Sequence, residues 1–250
     1  VPSPEAIEEV KKIAALPGIA MQGIFTHFSE ADIADKEWAH EQHRRFSDFI
    51  DALKAAGVTF NIHHCCNSAG TLELPDFHRE MIRPGIIQYG YDASKEVLVT
   101  GTKIKPVMSL RCCITHLKTI YEGDCVGYGR HFTATGPTKI ATLPIGYADG
   151  YNRALSSKID VIVHGVRAHQ VGNICMDQCM IDVSHIPNVK VGDEVVLFGE
   201  QGSECVSADE IADTCHTIIH EITCNINRRV PRVYVQNGKI VQRLEYLTQS

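Results

Sequence analysis

The spacing of apolar residues changes near residue 100, and that change constrains the fold more than any other feature. Before it, short apolar runs alternate with amphipathic helical stretches. After it, apolar runs follow one another with only turn residues between. In the first part, Ser3-Pro4 opens a helix with a capping hydroxyl and then Pro at the first helical position. Ile7, Val10, Ile13 and Ala14 make one apolar face, which Leu16-Pro17-Gly18 ends. A strand is predicted over 19–28, ending in Thr26-His27-Phe28. A long helix follows over 36–56, with Trp38, Phe46, Phe49, Ile50 and Leu53 on its core face and Gly57 closing it. A strand over 58–62, a short helix around Thr71-Leu72 and a third strand over 81–89 complete the series. That rhythm belongs to a parallel α/β sheet or barrel, and three units are too few to close a barrel.

The second part carries apolar runs at 107–118, 138–146, 159–171, 174–183, 194–198 and 232–248. Turn signals such as Glu122-Gly123-Asp124 and Val191-Gly192-Asp193 separate them, and Gln236-Asn237-Gly238 reads as a hairpin turn. One helix intervenes, capped by Ser207 with Glu210 completing a capping box. This half is predicted to be mostly β.

Composition narrows the function classes. The 250 residues are 44% hydrophobic and 22% charged with a net charge of −6, a soluble globular profile. No basic block argues for nucleic acid, and no apolar run reaches the ~20 residues of a membrane helix. A start at Val1 without Met points to processing or to upstream sequence. The ten cysteines include no Cys-x-x-Cys, and four form two adjacent pairs, so reduced thiols in a cytoplasmic protein are expected. His63, His64, Cys65 and Cys66 cluster, but alternate strand residues face opposite ways, so no metal site is expected.

Three predicted strand ends carry chemistry. His27 ends the first, and His64 with Asn67-Ser68 ends the second. Asn67 and Ser68 would begin a helix, whose N-terminus is suited to a phosphate. Arg83-Pro84-Gly85-Ile86 is the third. Burying Arg83 requires partners, and a neutral His64 could accept its N–H. The Gly85 and Ile86 N–H groups could reach the phosphate that Ser68 holds, so the three ends suggest a phosphorylated cofactor. The β half adds Gly127-Tyr128-Gly129. A phenol is a poor base at its ordinary pKa of ~10 and needs cationic neighbours to work as one.

Taken together, Gly-Ile-Phe-Thr-His-Phe, His-Cys-Cys-Asn-Ser-Ala, Ile-Arg-Pro-Gly-Ile, Gly-Tyr-Gly, Pro-Ile-Gly-Tyr-Ala-Asp-Gly and Ile-Cys-Met-Asp-Gln-Cys-Met resemble the alanine racemase family, from residue 19 to Val235. The resemblance implies a partial (β/α)8 barrel of the TIM type over 1–98, then a β-rich domain over 99–250. It also implies pyridoxal 5'-phosphate (PLP), an amino-acid substrate, D-alanine supply for peptidoglycan, and a homodimer with shared active sites. By that likeness Ser68 and the backbone of Gly85 and Ile86 hold the phosphate, with Asn67 nearby. Arg83 faces the pyridine nitrogen, held in place by His64, and because a guanidinium keeps its proton the ring is a restrained electron sink. Tyr128 of one subunit exchanges the α-proton, with His27 as its hydrogen-bonding neighbour. Met176 and Asp177 lie at the substrate carboxylate and Tyr147 at the site entrance.

Two departures stand out. The family's PLP-bearing lysine lies in a Lys-Ala-Asn-Ala-Tyr-Gly-His stretch, and nothing like it occurs here. Lys11, Lys12, Lys36, Lys54 and Lys95 fall on helices or loops. The chain is therefore expected to need a further N-terminal portion and to be inactive alone. Arg228 stands where the family often has a tyrosine, which opens serine as an alternative substrate. A non-catalytic fragment that binds the phosphate or mediates dimerisation is the rival reading.

Overall fold

The computed structural model describes residues 3–96 and 104–247. The chain divides into two compact units, Val1–Val107 and Met108–Ser250. The domain boundary expected at 98/99 lies outside the described residues.

In the first unit, helix α1 (Pro4–Ala14) begins as its sequence dictates, Ser3 Oγ accepting the Ala6 N–H at 3.2 Å. Its apolar face is not covered: no α1 residue is buried, and Ile13 is 42% exposed. Strand β1 (Gly23–Phe25) pairs in parallel with β2 (Ile62–His64), Phe25 opposite His64. The second strand thus begins where the predicted 58–62 strand ends. Helix α2 (Glu37–Ala55) connects them and buries Ala39, Phe46 and Leu53, with Phe49 and Ile50 partly covered. Trp38 departs from the expected core face. It is 44% exposed, its Nε1 donating to Ser29 Oγ at 2.9 Å and Arg45 lying over its ring, because the neighbouring Ala39 takes the inward position. Helix α3 (Ser68–Glu73) follows directly on β2's turn.

The strand expected over 81–89 does not form. Arg83 N–H reaches Cys66 O at 2.9 Å, but Pro84-Gly85 then diverts the chain into a 3-10 turn over Ile86–Tyr89. One buried cluster fixes all of this: Phe28, Phe46, Cys65, Cys66, Ala69 and Phe77 pack together, so the residues flanking Asn67 and Ser68 are anchored on both sides.

The second unit is an antiparallel β structure. Its strands are β3 (Leu110–Cys113), β4 (His116–Ile120), β5 (Cys125–Val126), β6 (Phe132–Thr133), β7 (Thr138–Leu143), β8 (Asp160–Val163), β9 (Val166–Val171), β10 (Cys179–Asp182), β11 (Glu194–Gln201) and β12 (Glu204–Val206). Eight form one sheet in the order β12-β11-β8-β9-β10-β7-β4, with β3 also on β11. Val161, Ile162 and Val163 are consecutive and fully buried, as are Val195, Val196 and Leu197, so both faces of the sheet centre are covered.

Two helices, not one, interrupt it: α4 (Ala208–Cys215) and α5 (Ile219–Asn225). Ser207 caps α4 through the Glu210 N–H at 3.0 Å. The Glu210 carboxylate, however, turns to Arg167 on β9, at 2.7 and 2.9 Å, rather than back to the cap. The predicted hairpin is present as β13 (Arg232–Gln236) and β14 (Lys239–Leu244), with Asn237 and Gly238 both at positive φ. All ten cysteines are free thiols.

Candidate active site

In the first unit, His27, His64 and Arg83 come together. Parallel pairing puts Phe25 beside His64, their rings stacked at 5.2 Å, and Arg83 lies over Phe25 at 5.1 Å. The guanidinium is held at three points. Nη1 bonds His64 Nδ1, while Nη2 donates to Thr26 O at 2.8 Å and lies 3.2 Å from His27 Nδ1. Burial, and then the Arg83 charge, hold the His64 imidazole below its ordinary 6.5, so its neutral form accepts the guanidinium proton. Arg83 is thereby a fixed, permanent cation at the end of two parallel strands.

Two residues further on, Gly85 N–H donates to Ser68 Oγ at 2.8 Å. Ser68 is 5% exposed and keeps its own hydroxyl proton to give to an anion. Ile86 opens the following 3-10 turn, so its N–H has no partner within that turn. Asn67 acts as the α3 cap, its Oδ1 accepting the Gly70 N–H at 3.0 Å. Together Ser68, Ile86 and Arg83 present hydroxyl, amide and guanidinium donors on one short path, a set suited to an anion such as a phosphate ester. Three lysines of this unit are engaged elsewhere: Lys11 with Glu8 at 2.8 Å, Lys12 with Glu9 at 2.7 Å, and Lys36 with Glu73.

In the second unit, Tyr147, Met176 and Asp177 come together on two turns. Tyr147 N–H donates to Cys175 O at 3.1 Å and Ala148 N–H to Met176 O at 3.0 Å. The turns touch so closely at Gly146 that a Cβ there would lie 2.2 Å from Cys175 O. Asp149 Oδ2 accepts the Gly146 N–H at 2.9 Å, and Arg229 bridges Asp149 and Asp177. Tyr147, Met176 and Asp177 are all exposed.

Tyr128 sits on a 3-10 turn between the paired β5 and β6, 75% exposed. Asn173 Nδ2 donates to Tyr128 O at 2.8 Å, which ties this turn to the chain leading into Met176. Gly127 has φ of 74°, and a Cβ there would meet Asn173 N at 3.2 Å, so turn and clamp both favour glycine. Arg228 is exposed, its guanidinium 5.9 Å from the Tyr246 ring. Asn173, Asp149 and Arg229 were not singled out by sequence reasoning. Asp149 lay within a recognised motif, but Arg229 meets it across 80 positions of sequence, a link no local pattern shows.

Residues 1–93 match the family description "Alanine racemase, N-terminal domain", and residues 107–234 match "Alanine racemase, C-terminal domain". An alanine racemase 1 of Clostridium acetobutylicum is 45% identical over 247 residues, covering 99% of this chain and 64% of the relative. Among solved structures, an alanine racemase of Clostridium difficile in complex with cycloserine is similar at a TM-score of 0.91 and 41% identity. That match covers 99% of this chain and 65% of the other. An alanine racemase from Bacillus anthracis with bound L-Ala-P is similar at 0.91 and 36% identity, over 95% of this chain and 61% of that one. The chain thus spans about 64% of the length of the curated relatives it matches. With a partial barrel and a β-rich domain each matched in order, the chain belongs to the alanine racemase family.

Proposed function

We propose that this chain supplies the cofactor cradle and one proton-exchanging face of a PLP-dependent racemase that interconverts L- and D-alanine. The observation that carries the reading is the Arg83 guanidinium fixed by neutral His64 and Thr26 O beside the Ser68 hydroxyl. PLP, when bound, supplies an electron-withdrawing ring that makes a substrate's α-proton labile. Ser68 and the Ile86 amide hold the phosphate, with Asn67 and Gly85 shaping the turn between them. Arg83 faces the ring nitrogen as a donor that never yields its proton. In a homodimer, Tyr128 of one copy takes or gives the α-proton on one face, with His27 of the other beside it. Met176 and Asp177 flank the substrate carboxylate, and Tyr147 stands at the entrance. D-alanine made this way would serve peptidoglycan synthesis in the cytoplasm. The opposite proton and the PLP linkage need a lysine placed as in the family, so this chain acts with a further portion that carries one. Arg228, exposed where the family often has a tyrosine, carries a second reading in which a more polar pocket also accepts serine.

The test is PLP titration of the chain by absorbance, with D/L-alanine interconversion measured in parallel. The expected result is binding that Ser68→Ala and Arg83→Ala each weaken about tenfold, the loss of one strong charge-assisted contact. Binding as tight as the parent's in both variants would overturn the cradle. Racemisation by the chain alone would overturn the need for another lysine.

A further inference from the structure

Arg229 links the two turns that carry Tyr147 and Met176–Asp177. Its Nε donates to Asp149 Oδ1 at 2.6 Å and its Nη2 to Asp177 Oδ1. The Arg229 backbone is fixed as well: its N–H donates to Asn227 Oδ1 at 3.0 Å, and Asn227 N–H to Asp149 O at 2.9 Å.

The two carboxylates differ in what they require. The Asp149 side chain is 12% exposed and already caps the Gly146 turn, so a cationic partner offsets its loss of water. The Asp177 side chain is 56% exposed and water alone would solvate it. A purely structural pair would be complete with Asp149. The second arm instead neutralises a surface carboxylate adjoining Met176, where a bare charge would repel an incoming anion.

We propose that Arg229 is a positioning residue for the amino-acid carboxylate. It cancels the Asp177 charge beside Met176, so that a carboxylate can settle against the Tyr147 and Met176–Asp177 turns. The inference rests on the reading above, in which Met176 and Asp177 flank the substrate carboxylate.

The probe is propionate, which is alanine without its amine, titrated into the chain and followed by NMR of the methionine methyl groups. Arg229→Gln is expected to weaken binding at the Met176 methyl about fivefold, the effect of one water-screened repulsion at contact distance. Adding Asp177→Asn to that variant restores the affinity, which a merely structural role for Arg229 would not allow. Asp177→Asn alone leaves the Asp149–Arg229 pair intact and is expected to bind propionate at least as tightly as the parent, so it serves where Arg229→Gln does not fold. In a racemising form of the protein, Arg229→Gln raises KM about fivefold with kcat little changed.

Parent-like binding by Arg229→Gln, or no recovery in the double variant, overturns the inference and leaves the proposed function standing. Weaker binding by Asp177→Asn alone does the same. A parent protein that shows no propionate response at Met176 overturns both the inference and the carboxylate reading of Met176 and Asp177.

Discussion

Gly146→Ala isolates the packing between the Tyr147 turn and the Met176 turn from every other effect. The native backbone at Gly146 has φ of −152° and ψ of −162°, an extended conformation that alanine adopts freely, so the substitution adds no torsional strain. What it adds is one methyl group 2.2 Å from Cys175 O and 2.4 Å from Met176 O. Both obstacles are backbone, so no side-chain rotation relieves them. The turns must part by roughly 1 Å to reach ordinary contact. Parting them breaks the Tyr147-to-Cys175 and Ala148-to-Met176 hydrogen bonds and loosens the Asp149 cap on residue 146.

At about 1 kcal/mol for each net hydrogen bond, with a further penalty where a buried group is left unpaired, the change costs about 2–4 kcal/mol. The assay is hydrogen exchange with mass spectrometry across urea. The Tyr147 and Ala148 amides should lose protection selectively, and the second unit should unfold at lower urea. Gly136→Ala is the control, since nothing lies within 4 Å of a Cβ there. If Gly146→Ala matches Gly136→Ala within about 0.5 kcal/mol and keeps the two amides protected, the contact-based reasoning is wrong, because a surface change is worth no more than that.

Ser207→Ala removes the α4 cap while leaving Glu210 on Arg167, and should destabilise the second unit by about 1 kcal/mol in urea unfolding. His64 should titrate below 6.5 by NMR, since burial and Arg83 both disfavour its cation. Its folded pKa is depressed, so its contribution to stability is complete above the unfolded value and is lost as pH falls through the folded one. A His64 midpoint at or above 6.5 would contradict a neutral acceptor for Arg83.

Legibility in the sequence followed the range of the forces involved. Capping at Ser3 and Ser207 and the Asn237-Gly238 turn are decided within a few residues, and all three are present. The 81–89 stretch has strand-forming residues, but a strand also needs a neighbour, and past Arg83 the chain turns away with Pro84-Gly85. Trp38 looked like core because it is large and apolar, yet its indole N–H finds Ser29 and its ring finds Arg45 at the surface. The His64–Arg83 contact was anticipated, since both residues fall at predicted strand ends and one must satisfy the other. The Asp149–Arg229–Asp177 bridge was not, because tertiary packing alone brings those three together.

The long pairing of β3 with β11 sets the order of events during synthesis. Cys113 must wait for Glu194, its partner across the ladder, before the edge can close. At ribosomal speeds of ~5–20 residues per second that interval lasts several seconds, during which Cys112 and Cys113 stand open to oxidants. Closure half-buries Cys112, and that burial pushes its thiol up to about 12, where almost none is thiolate at neutral pH. The nascent chain therefore passes through a brief oxidation-sensitive window that the finished sheet narrows for Cys112, and recovery of folded protein should depend on how reducing its surroundings are while the second half is being made.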